Sequence, residues 1–487
     1  MIKAPRWMHH VALSAQQVHP ARFLWWVGLV FGFVFVFTLP PFQSIDETAH
    51  FYRSYQIATG QLVATQQGND SGGLLPSSVA ATVNEFFFKD SVKQDVAPPF
   101  ATIQTWLTIP LRPEQQTFVD FRNTAVYSPI PYLPAAVGMS LGHQLGLAPL
   151  FSLYLGRLTT MLVALGLAVL AVKYTPVRPW LFLLIALLPM VAVARSSLSI
   201  DGMIASLALL FIALTLHYAY GNVARISWRD LLILGTAASA IALTRSIYIV
   251  LVGLLFLIPQ ARFAGWAGRL SAIGLVGTIV FGTVGGWAWL STQSYVPVRA
   301  NEYKLYNPEH GTNLNEADTI EFNPRAQLAY IQNNPLAFLQ TLGTFFVTQT
   351  RTHIFHEFGR FGWNGQIHSL HKLGYVLMLI AAIFCAERRQ ISFTWAARSW
   401  MFAIWAGGVL LVIVSGYLLW NEVGARTIYG IQGRYFLPFF PLLALLIGGK
   451  LAQKAPIISL QLPVIGLCIV SLCATWLAMI AWFYASI

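Results

Sequence analysis

Two short stretches hold the side chains best suited to chemistry. Ser44-Ile45-Asp46-Glu47-Thr48-Ala49-His50 lies just past an apolar run that ends at Leu39. Adjacent carboxylates at a water–membrane boundary are costly unless solvated, paired or used, and an Asp placed there can take a proton from an acceptor hydroxyl or amine. Glu47 and His50 are three apart and share a face if the segment is helical. The same residues also read as a helix start, since Ser44 with Glu47 three positions on has capping-box spacing. Asp46 can be the base while Glu47 caps. The second stretch is Gly430-Ile431-Gln432-Gly433-Arg434-Tyr435-Phe436-Leu437-Pro438, ahead of a later apolar run. Arg434 offers a bidentate fork and a helix start offers backbone donors, a combination that suits phosphate. Gly433 lets a ligand approach the backbone. Arg and Tyr at this depth are equally common as interfacial anchors.

Isolated charges near helix ends form a third group. Arg157, Arg195, Asp201 and Arg245 interrupt apolar sequence, and such charges mark function by default. Arg195 and Asp201 close a short turn and either pair with each other or meet a ligand. His353 and His356 stand three apart, but the order is not that of a zinc protease and no further ligand accompanies them. Cys385, Cys468 and Cys473 all fall inside apolar runs, as packing residues do. No phosphate-binding glycine loop, nucleophile elbow or CxxC pair occurs.

The elements that must position these residues are membrane helices. Of 487 residues, 56% are hydrophobic and 10% charged, against roughly 25% charged in soluble domains. Mean hydropathy is +0.61. The sequence predicts an all-α polytopic membrane protein with about eleven crossings, near 23–40, 153–172, 179–194, 203–221, 230–246, 247–260, 268–291, 369–386, 398–420, 435–451 and 458–484. The segment 247–260 is short enough to be re-entrant. Residues 130–147 contain Pro131, Pro134 and His143 and are expected to lie along the membrane. The first run lacks a small-residue cleavage site and reads as a retained anchor. This layout gives a cytoplasmic N-terminus (1–22), a first transmembrane module (23–291) carrying an outer loop at 41–152, a second outer loop (292–368) and a C-terminal module (369–487).

Charge supports that orientation. Fourteen Lys/Arg and only two acidic residues fall on the inner segments, so the whole formal charge of +12 sits on one face, as the positive-inside rule requires. The basic balance reflects topology and attraction to membrane lipids, not nucleic acid. No internal repeat is evident.

Taken together, Asp46-Glu47-Thr48-Ala49-His50-Phe51, Tyr127-Ser128-Pro129-Ile130-Pro131-Tyr132, Gly156-Arg157-Leu158, Leu198-Ser199-Ile200-Asp201 and Gln432-Gly433-Arg434-Tyr435-Phe436-Leu437-Pro438 resemble a bacterial family. It is domain-of-unknown-function family 2142, predicted membrane proteins related to glycosyltransferases of the GT-C fold. The resemblance runs from Pro40 to Pro438. It implies a GT-C-like bundle in the bacterial inner membrane whose active face is periplasmic. The donor would be a polyprenyl-phosphate-linked sugar and the acceptor an envelope glycan or lipid, with inversion at the anomeric carbon. Asp46 would be the base, with Glu47 its neighbour or substitute. Arg434 would bind the carrier phosphate, helped by Arg157, Arg195 or Arg245, with Gln432, Tyr435, His50, Asp201 and Tyr127 around it. Lys89 and Lys93 are the first-loop lysines available for phosphate. The resemblance leaves a divalent metal open. Two other classes remain: a transporter or flippase for polyprenyl-linked glycans, expected to show broken helices, and a non-catalytic binder that kept the fold.

Overall fold

The computed structural model describes residues 18–88, 97–296, 322–349, 359–362, 365–384, 391–447 and 461–484. Lys89, Lys93, His353, His356, Trp363 and Cys385 lie outside the described residues, as do the first seventeen. The chain is a membrane protein built mainly of helices.

In chain order the elements are α1 (Pro20–Thr38), α2 (Glu47–Ala58), β1 (Thr65–Gln67), β2 (Asp70–Pro76), α3 (Ser77–Val83), α4 (Phe100–Trp106), β3 (Gln116–Asp120), α5 (Arg122–Ala125), α6 (Leu133–Gln144), α7 (Pro149–Tyr174), α8 (Pro179–Ala186), α9 (Pro189–Arg195), α10 (Asp201–Tyr220), α11 (Trp228–Thr244) and α12 (Gly265–Ser291). After these come α13 (Pro324–Asn333), α14 (Pro335–Thr348), a two-residue hairpin of β4 (Arg360–Phe361) and β5 (Gly365–Gln366), α15 (Ser369–Phe384), α16 (Trp395–Trp420), α17 (Phe440–Ile447) and α18 (Gln461–Tyr484).

Six helices among the described residues are long and apolar enough to cross a membrane: α1, α7, α10, α12, α16 and α18. The other five expected crossings are helical too, but short or broken. Residues 179–194 form two helices, α8 and α9, separated where Leu188 adopts extended backbone before Pro189, which removes an amide donor and bars the preceding residue from helix. Ser246–Leu257 is a 3-10 helix of 12 residues, long for a form seldom sustained beyond one turn. The segment before α17 is also 3-10, Gly433–Phe439, with Pro438 inside it. Residues 133–144 form a helix of 12 residues, about 18 Å long and too short to span. It packs against the first turns of α7 and against α2.

Residues 39–88 and 97–148 fold as a cap on one end of the bundle, here called the loop face. β1, β2 and β3 form an antiparallel sheet, with Thr65 opposite Gly72 and Gly72 opposite Asp120, a feature absent from the expected all-helical plan. Arg122 ties Asp70 and Asp120 at its edge. Beneath the sheet runs α2, in which every residue from Glu47 to Ile57 is buried. A helix polar in sequence but buried all round must satisfy its groups internally. Gln56 reaches Val63 O and Gly72 O, and the Ala49 carbonyl accepts from Thr124.

Close helix contacts use small residues, as they do when no solvent drives association. Gly28 and Gly32 of α1 sit on Leu165 and Met161 of α7. Gly202 at the start of α10 faces the Arg195 backbone, where a Cβ would come within 2.5 Å of an amide nitrogen. Backbone cannot yield as a side chain can. Gly202→Ala is therefore expected to cost about 1–3 kcal/mol and lower the melting temperature of the detergent-solubilised protein. Gly285→Ala, which meets open space, is the control and is expected to leave it unchanged.

Candidate functional site

At the loop face the first acidic pair divides. Glu47 is completely buried and takes Arg157 side-on: Arg157 Nε donates to Oε1 at 2.8 Å and Nη2 to Oε2 at 2.6 Å. Neither side chain has any exposure. Arg157 further donates to the carbonyls of Val36, Leu39 and Pro40, and the Leu198 amide donates to Glu47. Glu47 is thus closed to an acceptor and Arg157 is closed to a phosphate. Both expectations are corrected by the same pair. The capping box does not form either: Asp46 rather than Ser44 is the N-cap, Glu47 is held by Arg157, and Ser44 donates its hydroxyl to Ser197.

Asp46 turns the other way. Its backbone is left-handed, φ 59° and ψ 12°, a region a non-glycine residue enters at a cost. Its side chain keeps 32% exposure and meets Arg434, Nη2 to Oδ2 at 3.4 Å. Arg434 also holds Asp201, Nε to Oδ2 at 2.8 Å, and Asp201 lies 3.8 Å from Arg245. Asp46, Arg434, Asp201 and Arg245 thus form a row of alternating charge. The expected Arg195–Asp201 pair is not made. Arg195 sits buried beside a separate void of about 10 Å³ lined by α7–α10 residues and Leu437, Pro438 and Pro441, so it does not join the row.

The row ends in aromatic rings. The Arg245 guanidinium stands 4.4 Å from the Tyr435 ring centre and 5.9 Å from that of Tyr127, contacts favourable to a cation. Tyr127 is held by its own strand of chain. Arg53 donates to Tyr127 O, Trp287 to Val126 O and Ser128 to Leu243 O. Tyr248 donates to Tyr435 O. His50 lies behind, its Nδ1 2.9 Å from the Tyr132 hydroxyl. Gln432, the residue before the 3-10 turn, has a buried Oε1 with no hydrogen-bond partner among the described residues. Arg434 therefore sits not on an α-helical N-terminus but in a 3-10 segment, turned toward two carboxylates.

Beyond Arg245 lies a cavity of about 330 Å³. Its walls are mostly apolar, from α11, α12 and α16, with Tyr127, Arg245 and Tyr435 at one end. Among the described residues no three His, Cys, Asp or Glu side chains gather as a metal would require. The two carboxylates of the row are bridged by Arg434.

Burial is the strongest influence on Asp46 and lifts its carboxyl above the ordinary range. Arg434 opposes the rise, Asp201 adds to it and Arg245 opposes it. A carboxyl so placed is a better proton acceptor than a free one. Burial likewise depresses His50 to about 3, with Asp201 opposing and Arg245 and Arg434 assisting.

The comparisons with known proteins place the chain. Residues 29–443 match the family model described as predicted membrane protein (DUF2142). The chain belongs to that family. No curated protein and no solved structure matches it. Arg53, Tyr132 and Tyr248 support the site but carry no motif chemistry of their own. Only Tyr132 stood inside a recognised block, and Arg53 had the faint signal of a cation three residues beyond His50.

Two outcomes follow. Removing one partner of the buried pair, by Arg157→Met or Glu47→Gln, is expected to cost about 3–5 kcal/mol and to reduce folded yield and thermal stability. Asp46→Asn is expected to leave both nearly intact. His50 is neutral when folded and protonates near 6.5 when unfolded, so the unfolded state binds the extra proton between these values. The stability it contributes is present above about 6.5 and is lost as pH falls toward about 3. Denaturation followed across that window is expected to show a shallower acid limb in His50→Gln.

Proposed function

We propose that this protein is an inverting glycosyltransferase that moves a sugar from a polyprenyl-phosphate-linked donor to an envelope glycan or lipid at the loop face. The observation that carries this reading is the placement of a partly exposed carboxylate and two arginines at the head of an apolar cavity. A lipid-linked sugar needs those three things: a base for the acceptor, cations for the phosphate and a dry space for the chain. The sequence resemblance to GT-C enzymes supports the same assignment, and the clustering of Lys173, Arg178, Arg225, Arg229, Arg262 and Arg269 away from the loop face supports an outward orientation.

In the proposed reaction, Asp46 takes the proton of an acceptor hydroxyl as its oxygen attacks the anomeric carbon from the side opposite the phosphate. The carbon–oxygen bond to phosphate breaks, and the lipid phosphate leaves with the bonding electrons. Arg434 and Arg245 stabilise the charge gathering on the leaving phosphate, which is where preorganised cations help most. Asp201 holds both arginines and acts as a positioning residue.

A second reading is favoured by one observation. Helices are broken at Leu188–Pro189 and at Arg245, and 3-10 geometry gives way to α-helix between Phe439 and Phe440. Discontinuous helices around a binding site are common in transporters. A carrier of the same lipid-linked glycan would keep the arginines and need no base.

Sugar transfer from extracted polyprenyl-linked donors to envelope acceptors separates the two. Asp46→Asn is expected to lower transfer at least about a hundredfold while donor binding persists. Arg434→Ala is expected to weaken donor binding. Wild-type protein that moves the donor between leaflets of a vesicle but transfers nothing, with Asp46→Asn equally competent, would establish the carrier instead.

A further inference from the structure

Arg434 and Arg245 differ in how fully their charge is already met. Arg434 has two carboxylates within 3.4 Å and 7% side-chain exposure. Arg245 has one carboxylate at 3.8 Å and 16% exposure. Its other neighbours are tyrosines, the faces of Tyr127 and Tyr435 and the Tyr248 hydroxyl, and it alone of the row's charges lines the cavity. An anion arriving from the cavity meets Arg245 first. The next group beyond it is the Asp201 carboxylate. A single phosphate is therefore matched by Arg245, whereas a second would be driven against that carboxylate at short range, where like charges in a poorly solvated site repel strongly.

The cavity fits one slender chain. Val284, Trp287 and Ala288 of α12 form one wall and Val412, Ser415 and Leu419 of α16 another. Both helices turn other apolar side chains outward, with Phe281, Trp289 and Leu411 exposed, so the space between them faces the hydrocarbon of a bilayer. A headgroup entering from that side brings its chain behind it.

We infer that this site takes a lipid with one apolar chain and one phosphate, the phosphate on Arg245 between Tyr127 and Tyr435 and the chain in the cavity between α12 and α16. The inference rests on the lipid-linked-sugar reading and narrows it to single-phosphate carriers, with Arg245 rather than Arg434 as the first phosphate ligand.

Native mass spectrometry of the full-length protein in detergent tests this with farnesyl phosphate, farnesyl diphosphate, farnesol, a two-chain phosphatidate and inorganic phosphate. Farnesyl phosphate is expected to bind about tenfold or more tightly than each of the others, the scale of one charge-assisted hydrogen bond. Arg245→Gln is expected to reduce it to the level of farnesol. Ala288→Trp, which fills the cavity from an exposed helix position, is expected to weaken every farnesyl ligand while the protein elutes unchanged. Equal or tighter binding of the diphosphate, the phosphatidate or inorganic phosphate overturns the inference. So does loss of binding in Arg434→Gln with Arg245→Gln unaffected. Each of those results leaves the transferase reading standing, because that reading is decided by transfer and its dependence on Asp46. Wild-type protein showing no phosphate-dependent binding overturns the inference as well, and only absence of sugar transfer overturns the transferase reading.

Discussion

The ion pair between Arg157 and Glu47 is the contact on which the loop face depends. Two charges taken wholly out of water are expensive, and their mutual attraction repays that cost only if the remaining donors and acceptors are also met. Here Arg157 also serves the last carbonyls of α1, and Glu47 also receives the Leu198 amide. One pair thus joins the end of α1, the start of α2, the middle of α7 and the turn before α10. Because Glu47 is drawn inward, its neighbour cannot follow. Asp46 is left in the left-handed region with its side chain toward Arg434. The structural carboxylate sets the direction of the exposed one.

Three of the four charges in the row stand at the end of an α-helix whose dipole favours them, and Arg434, in the first turn of its 3-10 segment, is held by the two carboxylates instead. Asp46 precedes the first turn of α2 and Asp201 begins α10, where partial positive charge gathers, while Arg245 follows the last turn of α11, where it is negative. The helix breaks are what bring these ends together at one level. An unbroken helix through Thr244-Arg245-Ser246 would carry Arg245 round a regular turn; extended backbone at Arg245 (φ −148°, ψ 122°) does not. The distortion costs intrahelical hydrogen bonds, and the bonds from Ser128 to Leu243 O and from Tyr248 to Tyr435 O offset part of that cost.

Much of this was legible in the sequence, and the illegible part has a consistent cause. Apolar runs located the six long helices and the shorter α8, α9, α11, α15 and α17, because burial in lipid demands uninterrupted apolar residues, but not α3, α4, α5, α13 and α14, which lie in the two stretches expected as outer loops. They did not reveal where α8 gives way to α9 or where 3-10 geometry replaces α, since an apolar run reads the same whether or not its ladder is regular. The Asp-Glu pair was found, but its division of labour was not. Local spacing fits a capping box, and the partner that defeats it, Arg157, lies 110 residues away. Arg195 and Asp201 looked paired for the same reason: nearness in sequence stood in for nearness in space. The short sheet was missed because Thr65–Gln67 and Gly72–Gly73 have no strand-like alternation, and they pair because α2 beneath them needs its polar groups covered.

The same welds bear on whether the site is fixed or moves. A carrier alternates between two faces, and the elements around its ligand must part in one of the two states. Here the row's elements are tied to the loop face by the most buried polar contacts nearby. α10 is tied through Leu198 to Glu47 and α11 through Leu243 to Ser128, while the 3-10 turn is tied through Tyr435 to Tyr248 of the neighbouring 3-10 segment. Opening the bundle would break several of these at once, including one to a buried ion pair whose exposed halves have no replacement partner. Rigid support around a small set of charges is what precise positioning of reacting groups requires. The broken helices then read as the means of placing four charges in line, rather than as hinges, which weighs toward the transferase.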